Sequence, residues 1–152
     1  MEIKNCNDEE EVFYRKRVVE EAKNLLGTPF RHMGVTRHGL DCKGFGYLTY
    51  RRAGLDLPQG DGKIYEPNWF FFADTERYLN SLLRVFYFID SPKIADIAVF
   101  KCHCNLITHG GILIDDNKFI HARSGRNVEL GELSHKYWKK VFHGFMRYKG
   151  FK

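Results

Sequence analysis

The chain has 152 residues, with 24 Lys/Arg against 19 Asp/Glu for a formal charge of +5 and 43% apolar residues, which is the size and composition of one folded domain with little room for a second. No run approaches the roughly 20 apolar residues a membrane span needs, and the polar, acidic start through Glu11 carries no export signal, so a chain made in the cytoplasm is expected. The basic residues are spread out, as in Arg15-Lys16-Arg17, Arg51-Arg52 and Lys139-Lys140, which fits solvated helix faces rather than a nucleic-acid footprint, and 4 cysteines without an export signal read as reduced thiols.

The first predicted element is a helix from about Asp8 to Leu26. Asn7 and Glu10 are spaced for a capping box, and Gly27 is placed to stop it. Val12, Val19, Ala22 and Leu26 make its inner stripe. A loop rich in glycine and basic residues, Thr28 to Leu40, leads to a second helix capped by Asp41 and closed by Gly54 and Pro58. Cys42 then falls in the first turn. Unpaired amides and the helix dipole there favour a thiolate, able to bring a cysteine pKa from about 8.5 to roughly 3.5–7.5, and the same amides can hold an oxyanion. A buried cysteine that merely packs is the competing reading. Gln59 to Asn68, with Gly60, Gly62 and Pro67, is a loop. Trp69-Phe70-Phe71-Phe72 is read as core packing beneath a short helix, with an apolar wall of a substrate groove as the alternative. A short helix follows from about Asp74 to Leu83.

After Pro92 the pattern changes to short apolar segments, Asp96 to Phe100, Ile107 to Ile114 and Phe119 to Ala122, which read as strands. Asp115-Asp116-Asn117 has the residues of a tight turn between the last two. Val128 begins another strand, Glu132 to Lys140 holds a helical turn or two, and Val141 to Tyr148 alternates as a final strand does. Helices first and an antiparallel sheet after make an α+β fold, in a single domain over residues 1–152.

A cysteine nucleophile needs a base, usually histidine. Of the 7 histidines, His109 and His121 flank the predicted hairpin. If 115–117 is a three-residue loop, Ile114 faces Lys118 and Gly111 faces His121. His109 is then the diagonal same-face neighbour of His121, roughly 7–8 Å away between backbones, a distance two imidazoles bridge. A two-residue loop would put them on opposite faces, so the pair requires an odd-length loop. Cys102-His103-Cys104 looks like half of a zinc site. Structural zinc takes four ligands in well-spaced pairs, and Cys6 is the only cysteine left besides Cys42, so the segment is read as a reduced loop thiol pair.

Taken together, these segments resemble the NlpC-type cell-wall peptidases, which are papain-like cysteine peptidases. Gly27-Thr28-Pro29-Phe30 is similar to the family's Gly-Thr-Pro-Tyr, and Asp41-Cys42-Lys43-Gly44-Phe45 to its Asp-Cys-Ser-Gly-Phe. Pro92 to Phe100 resembles the Pro-x-x-Gly-Asp-Leu-Val-x-Phe strand, Thr108 to Ile112 the His-Val-Gly-Ile strand, and Phe119 to Ala122 the Ile-His-Ala strand. Tyr65 to Trp69, with Trp138 and Phe145-Met146-Arg147, looks most like the branch associated with phage tails and gene-transfer particles.

The resemblance implies a papain-like fold with the nucleophile at a helix N-terminus packed on an antiparallel sheet. It implies Cys42 as nucleophile, His109 as general base and His121 as the third polar residue. It further implies hydrolysis of a peptidoglycan peptide bond, typically between D-γ-glutamate and a diamino acid, through a thioester, with no metal or organic cofactor. A phage-like tail or another secretion device would deliver the chain to the wall. Phe30 replaces a tyrosine whose hydroxyl lines the site in many relatives. Lys43 replaces a serine that, with the aspartate matching Asp41, helps bind the substrate's free amino end in some members; a lysine repels a protonated amine and favours an acidic group. Ala95 stands in place of a glycine. Arg31 and His32 precede Cys42 in the loop, and Arg31 joins Phe30, Asp41 and Lys43 as a candidate substrate contact. The competing readings are a structural tail or wall-binding component without turnover, and acyl transfer or ester cleavage by the same thioester chemistry.

Overall fold

Asn7 opens the first helix as its spacing predicts. Its side chain accepts from Glu10 N at 2.9 Å and Glu10 Oε1 accepts from Asn7 N at 3.3 Å, while Asp8, Glu9, Glu10 and Glu11 complement the positive end of the dipole. The computed structural model describes residues 3–59 and 63–152, so the loop glycines Gly60 and Gly62 lie outside the described residues. Helix α1 spans Asp8–Asn24 and the strands β1 (Val35–Thr36) and β2 (Gly39–Leu40) pair within the following loop. Then come α2 (Cys42–Arg52), α3 (Trp69–Phe72) and α4 (Arg77–Leu83). Strands β3 (Phe86–Ile89), β4 (Ile97–Phe100), β5 (His109–Leu113), β6 (Lys118–Ala122) and β7 (Val128–Glu132) precede α5 (Lys136–Val141) and β8 (Phe142–Tyr148).

The six-stranded sheet has the order β3-β8-β4-β5-β6-β7 with every neighbour antiparallel, which makes the fold α+β as the element order implied. Helix α2 packs one face through Phe45 and Tyr50, 1% and 0% exposed, each such burial stabilising by about 1.5–3 kcal/mol. The opposite face carries Ala98, Phe100, Leu113 and Phe119 beneath Trp138 of α5. Among the described residues no helix is long and apolar enough to cross a membrane.

Three expectations change. The inner stripe of α1 is wrong at both ends: Val12 and Leu26 are 54% and 40% exposed, while Glu11, Arg15, Val18, Val19, Ala22 and Leu25 are buried. A polar network orients the helix. Arg15 donates to Glu11 at 2.9 Å and to Asp96 at 2.9 Å, Arg147 binds the same Asp96 at 2.7 Å, and Lys152 N donates to Glu11 at 2.9 Å. Leaving such a buried carboxylate unpaired costs about 3–5 kcal/mol, more than rotating a valine into solvent. Strand β3, unassigned in the sequence reading, pairs with β8 from Phe86↔Tyr148 to Ile89↔Phe145 at the sheet edge. Finally, α3 touches the core only through half-buried Trp69; none of its residues is buried and Phe72 is 82% exposed. Ala95 takes φ 70, left-handed backbone that costs a residue with a Cβ about 1–2 kcal/mol.

Candidate active site

Asp41 caps α2 and fastens the loop before it. Oδ1 accepts from Gly44 N at 2.7 Å, and Oδ2 accepts from Met33 N at 3.0 Å and from the Tyr65 hydroxyl. A Cβ on Gly44 would collide with the Gly34 carbonyl, so this glycine lets the loop lie against the first helical turn. These contacts place Cys42 at the helix start, its Sγ 4.0 Å from the Thr108 carbonyl. The residue after Thr108 is His109.

The β5–β6 hairpin has the odd-length turn its parity required. Ile112 pairs with Ile120 and Leu113 with Phe119, and Ile114 N donates to Lys118 O at 3.0 Å. His109 and His121 therefore share a face, with His109 Nε2 and His121 Nδ1 2.7 Å apart. The His109 ring stacks on Trp138 at 5.6 Å and 21°, and His121 meets the same indole edge-on at 4.8 Å. His121 Nε2 is buried without a hydrogen-bond partner among the described residues, 3.9 Å from Glu129 Oε1.

Cys42 and His109 line one cleft of about 500 Å³ together with Phe30, His32, Asp41, Thr108, Arg123, Tyr137 and Trp138. Trp69, Phe70 and Phe71 line it too, so these three form a groove wall and the core reading holds for Trp69 alone. A second cavity of about 330 Å³ also reaches Cys42 and contains Met33, Lys43, Tyr65 and Tyr78. Lys43 Nζ sits 4.4 Å over the Tyr65 ring, 5.0 Å over Trp69 and 5.8 Å over Tyr78. Arg31 is exposed and lines neither cavity, which removes the support for it as a substrate contact. Asp41 is 4% exposed with its carboxylate occupied, so its cap role accounts for it.

The helix start does not produce a resting thiolate. Burial, then the Asp41 charge, pushes the Cys42 thiol up to about 12, against the Lys43 charge and the Lys43 amide that favour ionisation. Burial, then Arg123 and His103, lowers His109 to about 3, and burial with His109 and Arg123 lowers His121 to about 2. The pair is thus thiol and neutral imidazole at neutral pH. Desolvation by the surrounding protein outweighs the dipole.

Cys102, His103 and Cys104 diverge. Cys102 lines the cleft near the Tyr137 hydroxyl, His103 lies 4.8 Å from the Phe70 ring and 4.6 Å from Phe71, and Cys104 approaches the Leu106 carbonyl. No metal-holding group of His, Cys, Asp and Glu occurs among the described residues, and all four cysteines are free. The sequence reading missed Arg123 and Tyr137 as cleft residues, and knew Trp138 only through a resemblance. Arg123 follows His121-Ala122 directly, a position from which its neighbourhood to the histidines was readable.

Against known proteins, residues 27–147 match the model described as the NlpC/P60 family. The chain is 31% identical over 132 residues to "Probable peptidoglycan endopeptidase LytE" of Bacillus subtilis, covering 87% of this chain and 34% of that protein. It is 32% identical over 127 residues to "Probable endopeptidase NlpC" of Escherichia coli, covering 81% of this chain and 71% of that one. A crystal structure of an NLP/P60-family protein similar to lipoprotein from Staphylococcus aureus superposes with TM-score 0.68 at 21% identity, over 97% of this chain and 44% of that one. The chain thus spans about a third of the length of the Bacillus relative.

Proposed function

The chain belongs to the NlpC/P60 family, and from that premise we propose that it is a cysteine peptidase that hydrolyses peptide bonds in the stem peptides of bacterial peptidoglycan. The observation that carries the proposal is that His109, which lines the same cleft as Cys42, is held from behind by His121 at 2.7 Å. The bond expected from the resemblance, between D-γ-glutamate and a diamino acid, is the substrate we propose. The relatives named as endopeptidases support the reaction class.

The mechanism follows from the tautomers. A proton on His121 Nε2 faces the Glu129 carboxylate at 3.9 Å, which leaves Nδ1 to accept from His109 Nε2–H at 2.7 Å. His109 Nδ1 then carries a lone pair. As Cys42 Sγ attacks the carbonyl carbon, its proton passes to His109, so the charges that develop stay close together and stabilise one another. The Cys42 amide, in the first turn where helix N–H groups have no intrahelical acceptor, faces the developing oxyanion. Collapse of the tetrahedral adduct breaks the C–N bond, His109 protonates the leaving amine, and a thioester remains. Water deprotonated by His109 cleaves that thioester and restores the thiol. Delivery to the wall by a phage-like tail or secretion assembly is proposed with this reading.

The test is digestion of purified muropeptides by the wild-type protein and by Cys42→Ala, read by mass spectrometry. Wild type is expected to release stem-peptide fragments and Cys42→Ala to lose at least about a thousandfold in rate, the scale of losing a nucleophile. Unchanged muropeptides with wild-type protein reject the peptidase reading.

A further inference from the structure

We propose that Arg123 forms a carboxylate-binding subsite on the leaving-group side of the cleft. The proposal rests on the peptidase reading for the direction of the substrate, and it names an acidic group the substrate carries. Arg123 is the one arginine or lysine among the described residues lining the cleft that holds Cys42 and His109. Its guanidinium lies 5.3 Å over the Trp138 ring and 5.3 Å over the Tyr137 ring, and it makes no ion pair among the described residues. Among the described residues the only acid lining that cleft is Asp41, whose carboxylate already accepts from Gly44, Met33 and Tyr65. Among the described residues that line the cleft, no uncommitted carboxylate therefore faces this cationic charge.

Its position gives the direction. Trp138 stacks on His109 at 5.6 Å, and Arg123 rests on that same indole. His109 hands its proton to the departing amine, so the residue bearing that amine lies on the His109 side of Cys42. A guanidinium held on two aromatic faces presents its planar fork to a carboxylate on that residue, with two parallel N–H···O bonds. Lys43 lines the other cavity, with Tyr65 and Tyr78. The aromatic platform restricts the arginine before substrate arrives, so less ordering entropy is lost on binding.

Two synthetic stem peptides test this, differing only in a free carboxylate or a carboxamide on the residue whose amine leaves. Titration calorimetry against Cys42→Ala protein reads binding without turnover. The carboxylate peptide is expected to bind roughly ten- to a hundredfold tighter than the carboxamide, and Cys42→Ala/Arg123→Gln to bind the two equally. An Arg123→Lys version keeps the charge without the fork and is expected to retain only part of the preference. Equal affinities in Cys42→Ala, the same preference with and without Arg123, or no binding of either peptide overturns the subsite. Turnover of the same peptides by wild-type protein is scored separately: no cleavage together with a preference that depends on Arg123 rejects the peptidase reading and leaves the subsite standing.

Discussion

One proton on His121 decides whether His109 is a base. In the proposed mechanism that proton sits on Nε2 because the Glu129 carboxylate lies 3.9 Å from it, although its other oxygen is held by Arg126 at 3.0 Å. Replacing the carboxylate with a leucine removes the bias and lets the imidazole pair adopt the reverse tautomers, which leave a proton on the wrong nitrogen of His109. Glu129→Leu is therefore expected to lower kcat by about tenfold with little change in KM, the range seen when a group orienting a histidine is lost. Glu129→Gln, which still offers an acceptor oxygen, is expected to recover most of it. Equal losses in both variants would show that the position matters for packing alone. Cys42 teaches the complementary lesson. A helix start lowers a thiol pKa only while the sulfur stays solvated, and here burial prevails.

The elements that build the site differ in how locally they are determined. The β5–β6 hairpin is set by Asp115-Asp116-Asn117, where Asp115 Oδ1 accepts from Asn117 N at 2.8 Å and Lys118 N at 2.6 Å, and the register of both histidines follows from it. The start of α2 depends on a second segment, since Gly44 has to admit the Gly34 carbonyl before Asp41 can reach Met33 and Tyr65. Gly44→Ala is expected to cost about 1–3 kcal/mol in urea unfolding by overpacking this contact. It is also expected to slow substrate turnover well beyond the effect of the lost stability, because the loop and Cys42 shift together. Wild-type stability and turnover in Gly44→Ala would refute the close approach. Helix α3 is the opposite case, four residues without a side-chain cap whose aromatic rings find partners in each other, in His103 and in the cleft.

Across the molecule, the two neutral histidines tie stability to pH. His109 and His121 have folded values of about 3 and about 2 against 6.5 unfolded, so the unfolded chain binds more protons between these limits. Their contribution is complete above pH 6.5 and is lost as pH falls toward 3. At pH 5 each histidine is expected to have surrendered about 2 kcal/mol. The urea midpoint should therefore fall between pH 7.5 and pH 5, and His121→Gln should flatten that fall. A midpoint independent of pH over this interval would mean the pair is solvated or charged. Elsewhere the molecule is held by ionised groups, with Asp96 between Arg15 and Arg147 joining α1, the approach to β4, and β8.

Local chemistry was enough to read the α+β order, the capping box of α1, Cys42 in the first turn of α2, and the odd turn that puts His109 beside His121. Each of these depends on residues a few positions apart, whose hydrogen bonds and side-chain period are set by the backbone itself. The resemblance carried by the same segments pointed to the family. The burial of α1 by its charged face, the exposed aromatic wall of α3, the edge strand β3 and the protonated thiol were decided only by tertiary contact. So were the stack of Arg123 on Trp138 on His109 and the commitment of Asp41 to the protein's own donors. In each case the deciding partner is distant in the chain: Asp96 for Arg15, Tyr65 for Asp41, Trp138 for His109. Desolvation and ion pairing act through space, and the linear order of residues does not encode which groups will share it.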